Sequence, residues 1–333
     1  MTRLTSLENV TFPVQSRPLY SDIEVAGHHK QMAIDSHKVL FNVISGKALS
    51  VVSRDYQVVT NEQAVEMGKR CCRELFGLDE AADLEVFSVD APSTGSYCFI
   101  DLVHKGYTMN LWDSGQKPEV YIPYVRVTNS YNRTRALKFD IGFCRKICFN
   151  GVIFERQTIS FTFSHVRHEL QPSAIKFDIK KGLLEKLINE FRHLTKTVKE
   201  TEIPLDYAFQ IVSGVLGIPD EEAAKNEKNP ERMAETLRLV NQCRETVDRY
   251  LGENGYAVFN AMTDIASHVR PCRVFPREKN AMQRLAGEWL RDFHRRAALG
   301  PLEWDNYLQR IKENQWRERP NGFQRGAVSQ ALS

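Results

Sequence analysis

Eight residues between positions 126 and 146 carry side chains suited to gripping a polyanion: Arg126, Asn129, Tyr131, Arg133, Arg135, Lys138, Arg145 and Lys146. Guanidinium and ammonium groups neutralise phosphates, amides reach base edges, and an aromatic ring gives an unstacked base a flat partner. The mixture points to a groove for single-stranded nucleic acid. The competing account of the same residues is a solvated hairpin in which Tyr131 fills a turn. His165, His168 and Glu169 have the residue types of a metal site, but their spacing falls at a strand end, where positions three apart do not converge. Cys144 and Cys148 form a CxxxC pair with no second Cys or His pair at zinc spacing, which favours a structural thiol over a ligand or nucleophile. The sequence holds no GxxxxGK[ST], no GxGxxG after a strand, no HExxH and no GxSxG, so the common nucleotide, zinc-protease and hydrolase signals are missing. No cofactor is expected.

The charge distribution agrees with a polyanion. The net charge is only +3, but residues 126 to 181 hold eleven Lys and Arg against four Asp and Glu, and residues 270 to 325 hold thirteen against seven. That leaves −10 for the remainder, and such segregation creates a surface field that the total conceals. With 333 residues, 42% hydrophobic and 26% charged, the chain has the composition of a globular protein able to bury a large core. No run approaches eighteen apolar residues, and the first residues lack the apolar block of a signal peptide, so a cytoplasmic location is expected, with no membrane partner. Seven cysteines in a chain of this size read as reduced thiols.

The elements that position these residues follow from periodicity. Residues 118 to 165 contain three alternating runs joined by turns, a basic β-meander in which Val120, Ile122, Tyr124 and Arg126 share one strand face. Leu137, Phe139, Ile141 and Phe143 share a face of the next strand, with Lys138, Asp140 and Cys144 opposite on a face expected to be wet. Asn150-Gly151 is a type I′ turn signal. Thr60 or Asn61 caps a helix through Phe76, and two strands are expected within residues 84 to 112. Leu184, Leu187, Ile188, Phe191, Leu194 and Val198 form the stripe of a long amphipathic helix suited to covering the sheet. Further helices are expected after Pro204, Pro230, Gly255 and Pro276, while residues 1 to 30 look turn-rich. The fold class is therefore α+β, an antiparallel β-meander packed on a long helix. The expected organisation is an N-terminal arm (1–36), an α+β core (37–217) and a helical C-terminal region (218–333).

Three blocks, RDYQVVTNEQA, VTNSYNRTRALKFDIGFCRKICFNG and YAVFNAMTDIASH, resemble the DUF932 proteins of phage and plasmids and lie in family order. The positions matching that pattern are Tyr56, Asn61, Thr128, Asn129, Ser130, Gly142, Cys148, Asn150, Gly151, Asn260 and Thr263. Arg133 departs from the Gly or Asp common near that place. The resemblance implies a mobile-element origin and supplies no activity. At the level of fold, a basic meander followed by a helix is similar to the core of Rad52-type annealing proteins, which form rings. The expectation is a non-catalytic single-stranded DNA binding and annealing protein acting in recombination or replication as a homo-oligomer, for which the resemblance implies a ring. The alternatives are a metal-dependent nuclease using His165, His168 and Glu169, and an inhibitor of a host defence system.

Overall fold

A computed structural model gives the fold of residues 3–25, 27–79, 84–104, 106–111, 119–148, 150–154, 160–165, 175–177, 179–250 and 252–317. Along these residues run β1 (Arg3–Leu4), β2 (Val14–Val25), β3 (His28–Asn42), β4 (Ala48–Ser53), α1 (Asn61–Phe76), β5 (Glu85–Pro92), β6 (Tyr97–Val103), β7 (Met109–Asn110), β8 (Val120–Ser130), β9 (Leu137–Arg145), β10 (Gly151–Ile153) and β11 (Ser160–Phe163). Helices follow: α2 (Leu183–Glu200), α3 (Leu205–Leu216), α4 (Glu221–Asn226), α5 (Pro230–Arg249), α6 (Gly255–His268), α7 (Lys279–Ala297) and α8 (Trp304–Lys312). The class is α+β with antiparallel sheets, and no helix of the described residues is long and apolar enough to cross a membrane.

The larger sheet has the order β1-β5-β6-β8-β9-β10, with β7 pairing β8 and β11 pairing β9. Its register sets a charged row across three neighbouring strands, Asp101 opposite Arg126 and Arg126 opposite Asp140. Helix α1 covers the other face. It starts with a capping box in which the Thr60 hydroxyl accepts from the Gln63 N–H and the Gln63 side chain accepts from the Thr60 N–H. Ala64, Val65, Cys71, Cys72, Leu75 and Phe76 are buried along it. Gly68 lets α1 lie close to the strands, since a Cβ there would sit 2.4 Å from Val127 Cγ2 and 2.7 Å from Leu102 Cδ1.

The face expected to be wet is covered. Residues 121–130 of β8 are all buried, because the start of α7 lies over the side that carries Arg126 and Asp140. The helices after residue 218 also meet the sheet: α6 and α7 pack against β10 and against α2. Phe191 of α2 stacks on Phe143 of β9 with centroids 4.8 Å apart. Asn150-Gly151 does not form the expected two-residue turn. Gly151 is the first residue of β10, paired with Cys144, and the connection occupies the residues before it.

The turn-rich N-terminus of the sequence is instead a long ribbon. Strands β2 and β3 pair from Val14↔Asn42 to Val25↔His28, and β4 adds only to the root of β3, from His37 to Phe41. None of the described side chains between Gln15 and Lys38 is buried. At roughly 3.3 Å per residue, the twelve residues of β2 extend about 40 Å. The outer edge of β2 and the edge of β3 from His28 to Ser36 have no strand partner among the described residues.

Candidate functional site

The meander separates the eight residues proposed to grip nucleic acid. Arg126 is 2% exposed and forms a bidentate pair with Asp101, Nε to Oδ1 at 2.6 Å and Nη2 to Oδ2 at 2.7 Å, while Nη1 donates to Asn280 Oδ1 at 3.1 Å. Arg135 pairs with Glu278 at 2.6 Å and lies 3.7 Å over the Tyr97 ring. Lys138 lies 3.1 Å from Asp140, whose other oxygen accepts from Arg284 at 2.6 Å. Arg145 holds Glu119 with two donors, at 2.7 and 2.5 Å. Four cations are thus matched by carboxylates of the same chain, three of which lie at sequence separations no local pattern reveals.

Asn129 and Tyr131 are structural. The Asn129 amide donates to the Val59 carbonyl and to Asn61 Oδ1, and the Tyr131 hydroxyl accepts from the Asn61 N–H, all fully enclosed. The family-pattern residues Tyr56, Asn61 and Ser130 join the same knot, the Tyr56 hydroxyl donating to the Ser130 carbonyl at 2.6 Å. Only Arg133 and Lys146 remain exposed, at opposite ends of β9. Arg133 has φ +61°, a left-handed conformation unusual for a residue with a Cβ. Of the metal candidates, His165 is buried and stacked on Tyr56 with centroids 4.8 Å apart, and its Nδ1 donates to the Gln57 carbonyl at 3.0 Å. Burial holds its imidazole below the ordinary range, although the Gln57 contact opposes this. His168 and Glu169 lie outside the described residues, and no group of three or more His, Cys, Asp or Glu able to hold a metal occurs among those described.

A constellation that the sequence reading missed lies between α5, α6 and the β9–β10 connection. A cleft of about 440 Å³ is lined by Cys148, Glu245, Arg249, Asp264 and His268, among others. His268 Nδ1 is 3.0 Å from Asp264 Oδ1 and equally far from the Asp264 carbonyl one helical turn back. Asp264 Oδ2 accepts from the Tyr250 hydroxyl at 2.8 Å, and that hydroxyl accepts from Asn150 Nδ2 at 3.1 Å. Asn150 Oδ1 is buried without a partner among the described residues. The hydrogen bond to Asp264 raises His268 above the ordinary imidazole range, more than burial lowers it. Burial would raise the Asp264 carboxyl, but the hydrogen bonds from His268 and Tyr250 outweigh it and hold the group below its usual range. The contact thus favours the charged form of both groups. Arg145 Nη1 lies 3.9 Å from Cys148 Sγ, which places a cation beside the thiol. The Gly151 N–H and the Gln283 amide both donate to Ser267 Oγ at 3.1 Å, locking the strand to α6 and α7.

The signal for this cleft was present but dispersed. Cys148, Asn150 and Gly151 belong to one sequence block, and Asp264, Ser267 and His268 to another more than a hundred residues away. No curated protein and no solved structure matches the chain. The family model described as a domain of unknown function, DUF932, matches residues 48–289, and it spans β4 to most of α7, including the charged row and the cleft. The chain belongs to the DUF932 family.

Proposed function

We propose that the protein is a non-catalytic single-stranded DNA binding and annealing protein, working in the cytoplasm as a homo-oligomer in recombination or replication of a phage or plasmid. The contact line differs from the meander face of the sequence reading. It runs along the β2–β3 ribbon and its root, where Arg17, Lys30, Lys47, Arg54 and Arg133 are exposed and make no ion pair among the described residues. Tyr20, 52% exposed on β2, offers the stacking surface that buried Tyr131 does not. The observation that carries the reading is the ribbon itself. Two paired strands with open edges and no buried described side chain from Gln15 to Lys38 do not stabilise themselves over that length, and they acquire a purpose when a polymer or a neighbouring copy lies against them.

The electrostatics make the reading quantitative. Single-stranded DNA gives a log–log salt slope of about −0.7 per phosphate neutralised, so five cations predict about −3.5 and a loss of roughly hundredfold in affinity between 50 and 200 mM salt. Fluorescence anisotropy with a labelled oligonucleotide measures this. Arg54→Ala combined with Arg133→Ala should flatten the slope by about 1.4, and the strand should stay full-length with particle size rising on loading. An unchanged slope in the double variant, or shortening of the strand, refutes the proposal.

A further inference from the structure

We propose that the cleft between α5 and α6 is a thiol–disulfide exchange site, in which Cys148 attacks a small disulfide that carries a carboxylate. This is independent of nucleic-acid binding, because no residue of the cleft belongs to the ribbon or its root. Cys71, Cys72, Cys98, Cys144 and Cys243 are buried, and only Cys148 and Cys272 of the seven cysteines have partial access to solvent. Of those two, Cys148 lines the cleft, and it does so beside a preset acid and two guanidinium groups.

Each lining group has a task in the exchange. The Cys148 proton leaves to water, and Arg145 Nη1, 3.9 Å from Sγ, is the donor nearest the sulfur that then attacks. The thiolate forms a new S–S bond with the nearer sulfur of the bound disulfide while the original S–S bond breaks. The departing sulfur takes both electrons of that bond and a proton, which the His268 imidazolium can give and recover from water. Cys148 is thereby oxidised to a mixed disulfide and the released half is reduced to a thiol. The side chain of Arg249 is 68% exposed and only loosely held, 3.9 Å from Asp264, so it is free to take the carboxylate of the incoming disulfide. Tyr250 and Asn150 fix Asp264, and Asp264 fixes the imidazole, so the acid is oriented before a ligand arrives.

Dithiodipropionate, a small disulfide dicarboxylate whose released half is a basic alkyl thiol that must take up a proton, tests the site on the intact chain, with thiol release followed by mass spectrometry. The expected result is a fast phase of one equivalent whose rate saturates with reagent, with peptide mass spectrometry placing the adduct on Cys148. Cys148→Ser should remove that phase and Cys272→Ser should leave it. His268→Gln should slow it about tenfold at neutral pH, as befits loss of one charge-assisted contact. Arg249→Ala should raise the half-saturating reagent concentration with little effect on the limiting rate. A fast adduct on Cys272, a rate that does not saturate, or a His268→Gln rate equal to that of the parent would overturn the assignment, and the adduct map needs no variant to fold.

Discussion

Replacing Asp101 with Ala separates the two meanings that Arg126 has carried. If Arg126 were a phosphate grip, removing Asp101 would free it and strengthen binding. The geometry predicts a loss of stability instead. Both groups are enclosed, at 2% and 3% exposure, and two of the three guanidinium nitrogens rest on Asp101 alone. Removing one member of a buried pair leaves an uncompensated charge and costs about 3–5 kcal/mol, whereas replacing both by apolar residues of similar volume costs far less. Asp140 opposite Arg126 recovers a part of the loss, though it is already shared by Arg284 and Lys138. At a urea sensitivity of about 3 kcal/mol per molar, the midpoint should fall by roughly 1 to 1.7 M in Asp101→Ala, and Asp101→Leu with Arg126→Met should regain most of it. The pH dependence carries a sign. Burial would raise the Asp101 carboxyl, but the Arg126 guanidinium outweighs it and holds the group below its ordinary range. Its contribution is therefore complete above the unfolded value of about 3.9 and is lost as the pH falls through the lower folded value. The gap between parent and variant should be full at pH 7 and close below about pH 4. A midpoint shift corresponding to less than about 1 kcal/mol, or tighter oligonucleotide binding by the folded variant, refutes the structural role of the pair.

Two further substitutions probe the same frame. Asn129→Ala strips the donor from the Val59 carbonyl and Asn61 Oδ1, so urea unfolding should show a loss of about 1–3 kcal/mol, with oligonucleotide affinity unchanged in the folded protein. Gly287→Ala would place a Cβ 2.2 Å from the Ile153 carbonyl oxygen, a backbone atom that no rotamer can move. It should cost about 1–3 kcal/mol by thermal unfolding and loosen α7 from β10 first, visible as faster amide exchange in Gly151–Ile153.

The sequence by itself determined the elements whose signals are local. Thr60 announces the start of α1, Leu184 to Val198 repeat at helical spacing in α2, and β5, β6, β8 and β9 alternate or run apolar where expected, while the two-residue β7 is too short to carry a period. These cues act within one or two turns of chain, and they also carried the family blocks. The ribbon escaped notice because strands exposed on both faces have no buried side to impose an apolar period. Only the tertiary structure decided the fate of the charges. Arg126 meets Asp101 on the next strand, while Arg135 and Asp140 meet Glu278 and Arg284, some 140 residues away at the start of α7. It likewise brought Cys148 and His268 to one cleft from separate blocks. A cation looks the same in sequence whether it faces water or a carboxylate, because charge pairing depends on distance through space and the chain encodes that distance only once its layers have packed.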